Sequence, residues 1–211
     1  MASQAKTKWL EFWQRLGVKN DPASYFAELE SRYSEPHRAY HNLAHVLDCL
    51  EQFETAKQLT HDPLAVELAI WYHDSVYDPR AKDNEESSAQ LATKVGNELE
   101  LADSLKRRAT NLILATKKHD GSLEQDTAVM VDIDLSIFGQ ESKRFDEYEN
   151  QIGQEYNWVS QSEYVVGRTA VLKTFLARPS IYTTGFFHNK YEQQARENLN
   201  RSILKLQNLL I

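Results

Sequence analysis

The stretch Asp62-Pro63-Leu64-Ala65-Val66-Glu67-Leu68-Ala69-Ile70-Trp71-Tyr72-His73-Asp74 decides how this chain is read. Asp62 can accept from the unpaired N–H groups of a helix start, and Pro63 suits the first helical position, where no N–H is needed. Leu64, Ala65, Leu68, Ala69 and Trp71-Tyr72 then recur at helical spacing, and Asp78-Pro79 breaks the pattern. His73 and Asp74 stand at the end of this otherwise apolar helix. A charged Asp after Ile-Trp-Tyr-His is costly to bury unless something pairs with it, and a divalent metal would.

The same helical periodicity extends on both sides. Trp9, Leu10, Trp13 and Leu16 form one helix, stopped at Gly17. Asp21-Pro22 caps and opens a second, carrying Tyr25, Phe26, Leu29 and Tyr33. A third starts near Asn42 with Val46, Leu47, Leu50 and Phe53 on one side. After a polar loop over Asp78–Asp83, Asn84 is a candidate cap for a helix carrying Ala89, Leu91 and Val95. Another runs from about Ala102, before a second polar loop at His119–Ser122. Thr127–Phe138 is apolar apart from Asp132, Asp134 and Ser136, and Gly139 ends it. Four further helical segments are expected, the last over about Tyr191–Leu210, whose apolar stripe fits a core face or a homodimer surface. Strand-like alternation is confined to Ile181–Phe187. The reading is a single all-α domain of about nine or ten helices, with a core at about residues 36–140 and C-terminal helices at about 141–211 packing on it.

Composition agrees. Seven glycines and five prolines in 211 residues are about half the usual share, too few for an all-β chain rich in tight turns. The net charge of −7 weighs against a nucleic-acid polymer, which is bound by Lys and Arg neutralising phosphates. One cysteine, Cys49, permits no intrachain disulfide and no thiolate cluster, and reads as a small buried apolar residue. Trp9, Trp13, Trp71 and Trp158 read as core. No segment has the length of apolar sequence needed to cross a membrane, and Met1–Lys8 has no secretory character. A cytoplasmic protein is expected.

Four histidines bear on chemistry. His41 and His45, four apart, share one face of a helix. His45, with His73-Asp74 and one of Asp132 or Asp134, assembles the imidazole and carboxylate donors that suit a divalent ion: Mn, Co, Ni, Zn, Mg or Fe. Such an ion activates water and polarises a phosphoryl group, and His41, one turn from His45, is placed to protonate the leaving oxygen. Lys117 and His119 end a helix and are candidates for a phosphate pocket. Arg38 and Arg168 are candidates because a guanidinium binds two phosphate oxygens at once. His37, His61 and His188 read as surface or loop.

The order His45, His73-Asp74 and a later Asp resembles the H…HD…D motif of the HD superfamily of metal-dependent phosphohydrolases. Tyr40-His41-Asn42-x-x-His45 is similar to the signature of cyclic-nucleotide phosphodiesterases. YHNLAH at Tyr40–His45, WYHDSVYD at Trp71–Asp78, NEESSA at Asn84–Ala89, ATKKH at Ala115–His119, DIDLSIFG at Asp132–Gly139, EY at Glu155-Tyr156, GR at Gly167-Arg168 and AREN at Ala195–Asn198 resemble a bacterial group of predicted HD phosphohydrolases. The resemblance implies an HD-type, phosphodiesterase-like helical fold and His45, His73, Asp74 and Asp134 as metal ligands. It further implies His41 as proton donor and Asp78 as an acid that orients the attacking water. Binuclear members carry two more histidines before the final Asp; only His119 lies there, which implies one metal. The implied substrate is a phosphomonoester or phosphodiester of a small molecule such as a nucleotide. An iron oxygenase on the same scaffold and a non-enzymatic nucleotide-sensing or interaction module are the alternatives.

Overall fold

The computed structural model describes residues 2–19, 21–119 and 124–209, and among them the chain is all-α. The helices are α1 (Ala2–Arg15), α2 (Ala23–Tyr33), α3 (Leu43–Ala56), α4 (Pro63–Tyr72), α5 (Asn84–Glu98), α6 (Asp103–Ala115), α7 (Gln125–Asp134), α8 (Ser142–Glu155), α9 (Gln161–Leu176) and α10 (Gly185–Asn208). Short 3-10 turns follow α3 (Lys57–Leu59) and α7 (Leu135–Gly139). Among the described residues three helices, not four, follow Gly139. The part of the second polar loop at 120–122, and Leu210 of the last helix, lie outside the described residues. None of the helices described is long and apolar enough to cross a membrane. The chain divides into two compact units, Met1–Val131 and Asp132–Ile211, with the division falling inside α7.

In the first unit α4 is the central element. Asp62 accepts from the Ala65 N–H with Pro63 at the first position, and every residue from Ala65 to Tyr72 is buried. A helix apolar on all sides must be enclosed on all sides, and α3, α5 and α6 all pack on α4. Trp9 of α1 meets Trp71 edge-on at 5.3 Å and Trp13 at 5.1 Å, and Tyr33 of α2 donates its hydroxyl to the Trp71 carbonyl. Asp126 of α7 accepts from the backbone N–H groups of His61 and Asp62, holding the entry to α4.

Glu67 is the one charged side chain of α4, paired with Arg15. Burial pushes its carboxyl above the ordinary 4.5 despite the lowering effect of Arg15. The folded state therefore holds this proton more tightly than the unfolded state. The stability linked to it is full below the ordinary value and is lost as pH rises through the raised folded value. Glu67→Gln removes the titration, so the variant should gain on the parent protein as pH is raised from about 4.5. Urea unfolding of both across that range measures the difference, and a flat difference would refute the assignment.

In the second unit, α8 and α10 pack on the 3-10 turn Leu135–Gly139, and α9 packs on α10. A Cβ at Gly139 would stand 2.4 Å from Cβ of Tyr191, so only glycine fits this crossing. Asn198, fully buried, donates to the carbonyls of Phe138 and Gln140. These contacts account for two of the sequence pieces, DIDLSIFG and AREN, as one structural joint. The strand-like alternation at Ile181–Phe187 does not become a strand, in keeping with the all-α reading. Glu192 accepts from the N–H groups of Ile181 and Tyr182, and Asp132 accepts from those of Thr183 and Thr184. The donors a strand would offer to a neighbour are taken by two carboxylates, and α10 begins at Gly185. Trp158, read as core, is 42% exposed.

Candidate metal centre

The end of α4 turns sharply after Tyr72. His73 donates its backbone N–H to Ala69 O, and its ring nitrogen Nδ1 lies 2.9 Å from Ile70 O. With the Nδ1 proton given to that carbonyl, Nε2 is the nitrogen that faces Asp74: it donates to the carboxylate when protonated, and it would offer its lone pair to a metal in place of that proton. His45, on the first turn of α3, brings its own Nε2 to 3.0 Å from it. Asp74 Oδ2 lies 3.1 Å from His73 Nε2 and 3.5 Å from His45 Nε2. Both rings are buried, whereas the Asp74 side chain is 18% exposed, so the group opens outward on the Asp74 side.

These three atoms fit a divalent ion. An ion equidistant from points so spaced stands at least about 1.9 Å from each, just inside the roughly 2.0–2.2 Å of metal–nitrogen and metal–oxygen bonds. The donor set is also right: two imidazoles, one held by a carbonyl behind it, and a carboxylate kept ionised. Burial pushes the Asp74 carboxyl up. The charges that His73 and His41 can carry, with hydrogen bonds from His45 and His73, outweigh it and hold the group well below the usual carboxylate range. A second grouping, His61, Glu124 and Asp126, is more exposed, and both oxygens of Asp126 already accept from backbone N–H groups.

His41 reaches the centre by a different route from the one its spacing suggests. Asn42 is the N-cap of α3, accepting from the Ala44 N–H, so His41 precedes the helix and does not share a helical face with His45. It sits in a turn, half-buried, stacked on Tyr77 at 4.1 Å between ring centroids and edge-on to His45 at 6.1 Å. No local pattern in the sequence marks Tyr77, because the contact joins two turns.

Arg38 has the most informative placement. Its side chain is fully buried. Nε pairs with Glu35 at 2.9 Å, Nη1 donates to the carbonyls of His41 (3.0 Å) and Asp74 (2.6 Å), and Nη2 donates to Ser75 O (3.3 Å). It ties the turn carrying His41 to the turn carrying Asp74.

Asp78 is exposed, and its Oδ1 accepts from the Arg80 N–H, an Asx turn ahead of α5. Asn84 does not cap α5; its side-chain amide makes two hydrogen bonds to the Asp78 backbone. Lys117 donates to Lys82 O and Glu86, pinning the same loop. His119 closes the end of α6 with φ +48°, in the left-handed region, its N–H on Ala115 O.

The remaining candidates lie in the second unit. Arg168, its side chain 9% exposed, is bound to Glu149 and to the Tyr148 hydroxyl at 2.8 Å. Asp132 is fully buried, its oxygens accepting from Thr183 N, Thr184 N and Thr184 Oγ1 at 2.7–2.8 Å. Burial raises its carboxyl despite those bonds. Asp134 closes α7 and is half-buried. Cys49 lies one turn after His45 on α3, buried, with Sγ 3.7 Å from His45 Nδ1 and 3.8 Å from Nε2.

Comparison of the chain with protein-family models, with curated proteins and with solved structures returns no match.

Proposed function

We propose that the protein is a metal-dependent phosphohydrolase of the HD type, acting on a phosphomonoester or phosphodiester of a small molecule, a nucleotide foremost. The observation that carries the reading is the convergence of His45 Nε2, His73 Nε2 and Asp74 Oδ2 within 3.0–3.5 Å of one another. Asp134 is the fourth ligand in this reading. The sequence order supports it, and the three donors already bound to Asp132 argue against its neighbour.

When bound, one divalent ion lowers the pKa of water and polarises the phosphoryl oxygen. The protein's residues supply the rest. His45 and His73 give neutral imidazole nitrogens, and Ile70 O fixes the tautomer of His73. Asp74 stays ionised across the neutral range. His41, held between Tyr77 and Tyr40, protonates the leaving oxygen. Phosphate contact falls to the end of α6, at His119 and at Lys117, whose ammonium would have to exchange its bonds to Lys82 O and Glu86 for phosphate oxygens; the guanidinium groups of Arg38 and Arg168 are each buried in several protein contacts. Asp78 keeps its proposed role with the attacking water through the carboxylate oxygen that does not close the Asx turn.

The test is metal analysis of protein purified without chelator, then a phosphoester panel with Mn, Co, Ni and Mg added. One ion per chain and metal-dependent turnover are expected. Tight nucleotide binding without turnover would point to a sensing module, and two irons per chain with an oxygen-sensitive spectrum to an oxygenase.

A further inference from the structure

We propose that Cys49 is a further metal ligand, adding sulfur to the imidazoles of His45 and His73, and that the centre therefore selects zinc, iron or cobalt over magnesium. This rests on the metal-centre reading above and deepens it. Helix α3 places Cys49 one turn beyond His45, on the same face. Its Sγ is 3.8 Å from His45 Nε2, and the donor atoms of His45, Cys49 and His73 lie within 4.8 Å of one another. A sulfur and a nitrogen on one ion, with bonds of about 2.3 and 2.0–2.1 Å set roughly 90–110° apart, stand about 3.1–3.6 Å from each other. The observed separation needs only a small turn of the cysteine side chain.

The chemistry of the position points the same way. Cys49 is 2% exposed and lies against the ring of a buried His, so no bulk water competes with the sulfur for an ion on His45. As the sulfur–metal bond forms, the thiol proton leaves to solvent and the thiolate contributes both electrons of the bond. Thiolate is a soft donor that favours zinc, iron and cobalt. Magnesium prefers six oxygen donors and dehydrates reluctantly, and a ligand set with only two carboxylates beside two imidazoles and a thiolate suits it poorly.

Cobalt distinguishes the outcomes. The metal-stripped full chain is loaded with Co(II) and its absorption recorded beside that of Cys49→Ala. The expected result is visible d–d bands in both proteins, with a thiolate-to-cobalt charge-transfer band in the near ultraviolet in the parent protein alone. Zinc affinity of the variant, by chelator competition, should fall by roughly tenfold or more while magnesium affinity is unchanged. Circular dichroism and thermal unfolding of the stripped proteins check that the variant folds, and Cys49→Ser repeats the comparison with sulfur replaced by oxygen. Visible bands without the charge-transfer band in the parent protein overturn the role of Cys49 and leave the metal centre standing. Absence of any cobalt spectrum overturns both.

Discussion

Asp74→Asn is expected to strip the centre of its ion and to lower metal-dependent phosphoester hydrolysis by at least roughly two orders of magnitude. Partners one shell out from a metal are worth about 10–100-fold, and a direct carboxylate ligand should exceed that. Asn is nearly isosteric with Asp, so the change removes charge and little else. Asp74 stands 3.1 and 3.5 Å from the two Nε2 atoms, and neighbouring positive charge holds its carboxyl far below the ordinary range. That placement is favourable only while the site carries positive charge, whether a proton or a metal. His73→Ala should have the same effect on metal retention, with an added loss of stability. Its ring is 1% exposed and bonded to the Ile70 carbonyl, so truncation leaves a cavity and takes a donor from that carbonyl. Metal content by elemental analysis, turnover against the best substrate and thermal unfolding separate the two contributions. Retention of one ion per chain by Asp74→Asn would remove Asp74 from the ligand set.

What was legible in the sequence was what depends on neighbours along the chain. Asp62-Pro63, the apolar run behind it and the His73-Asp74 end could be read directly, because a cap, a proline and a helical period act within a few residues. The pairing of His45 with His73 was legible through the family resemblance, not through any local rule. Illegible were the roles decided across the fold. Asp132 and Glu192 look like ordinary acids until the backbone of Ile181–Thr184 is seen to need their oxygens, and those bonds cancel the only strand-like segment. Asn84 has the composition of a cap yet binds Asp78, six residues back, and Asp83 takes the cap position without a side-chain bond. Trp158 has the composition of a core residue, and its exposure follows from where the turn after α8 leaves it. The spacing of His41 and His45 puts both on one helix, whereas Asn42 caps that helix one residue after His41. His41 nevertheless arrives beside His45, because the turn is held by something the sequence offered only as a phosphate ligand.

That something is Arg38, and its replacement is the second large effect. Arg38→Ala should cost about 3–5 kcal/mol of stability, because the carbonyls of His41, Asp74 and Ser75 lose their donor together and a buried acceptor left without one costs roughly 1–3 kcal/mol. A surface phosphate ligand would cost almost nothing when removed, so the magnitude alone separates the two roles. Arg38→Lys sharpens the test. A lysine keeps the charge but has one terminal nitrogen, and it cannot span three carbonyls and Glu35 with the fork of a guanidinium. The lysine variant should fold, lose about 1.5–3 kcal/mol, and bind its ion roughly 10–100-fold more weakly, since the backbone of Asp74 is no longer tied to the turn carrying His41. The KM for substrate should change less than kcat, because a positioning residue governs how the reacting groups are arranged and not how the phosphate is held. A variant with normal stability, normal metal affinity and a raised KM would return Arg38 to the role of phosphate ligand. The buried fork, with its 2.6 Å contact to Asp74 O, argues for the opposite result.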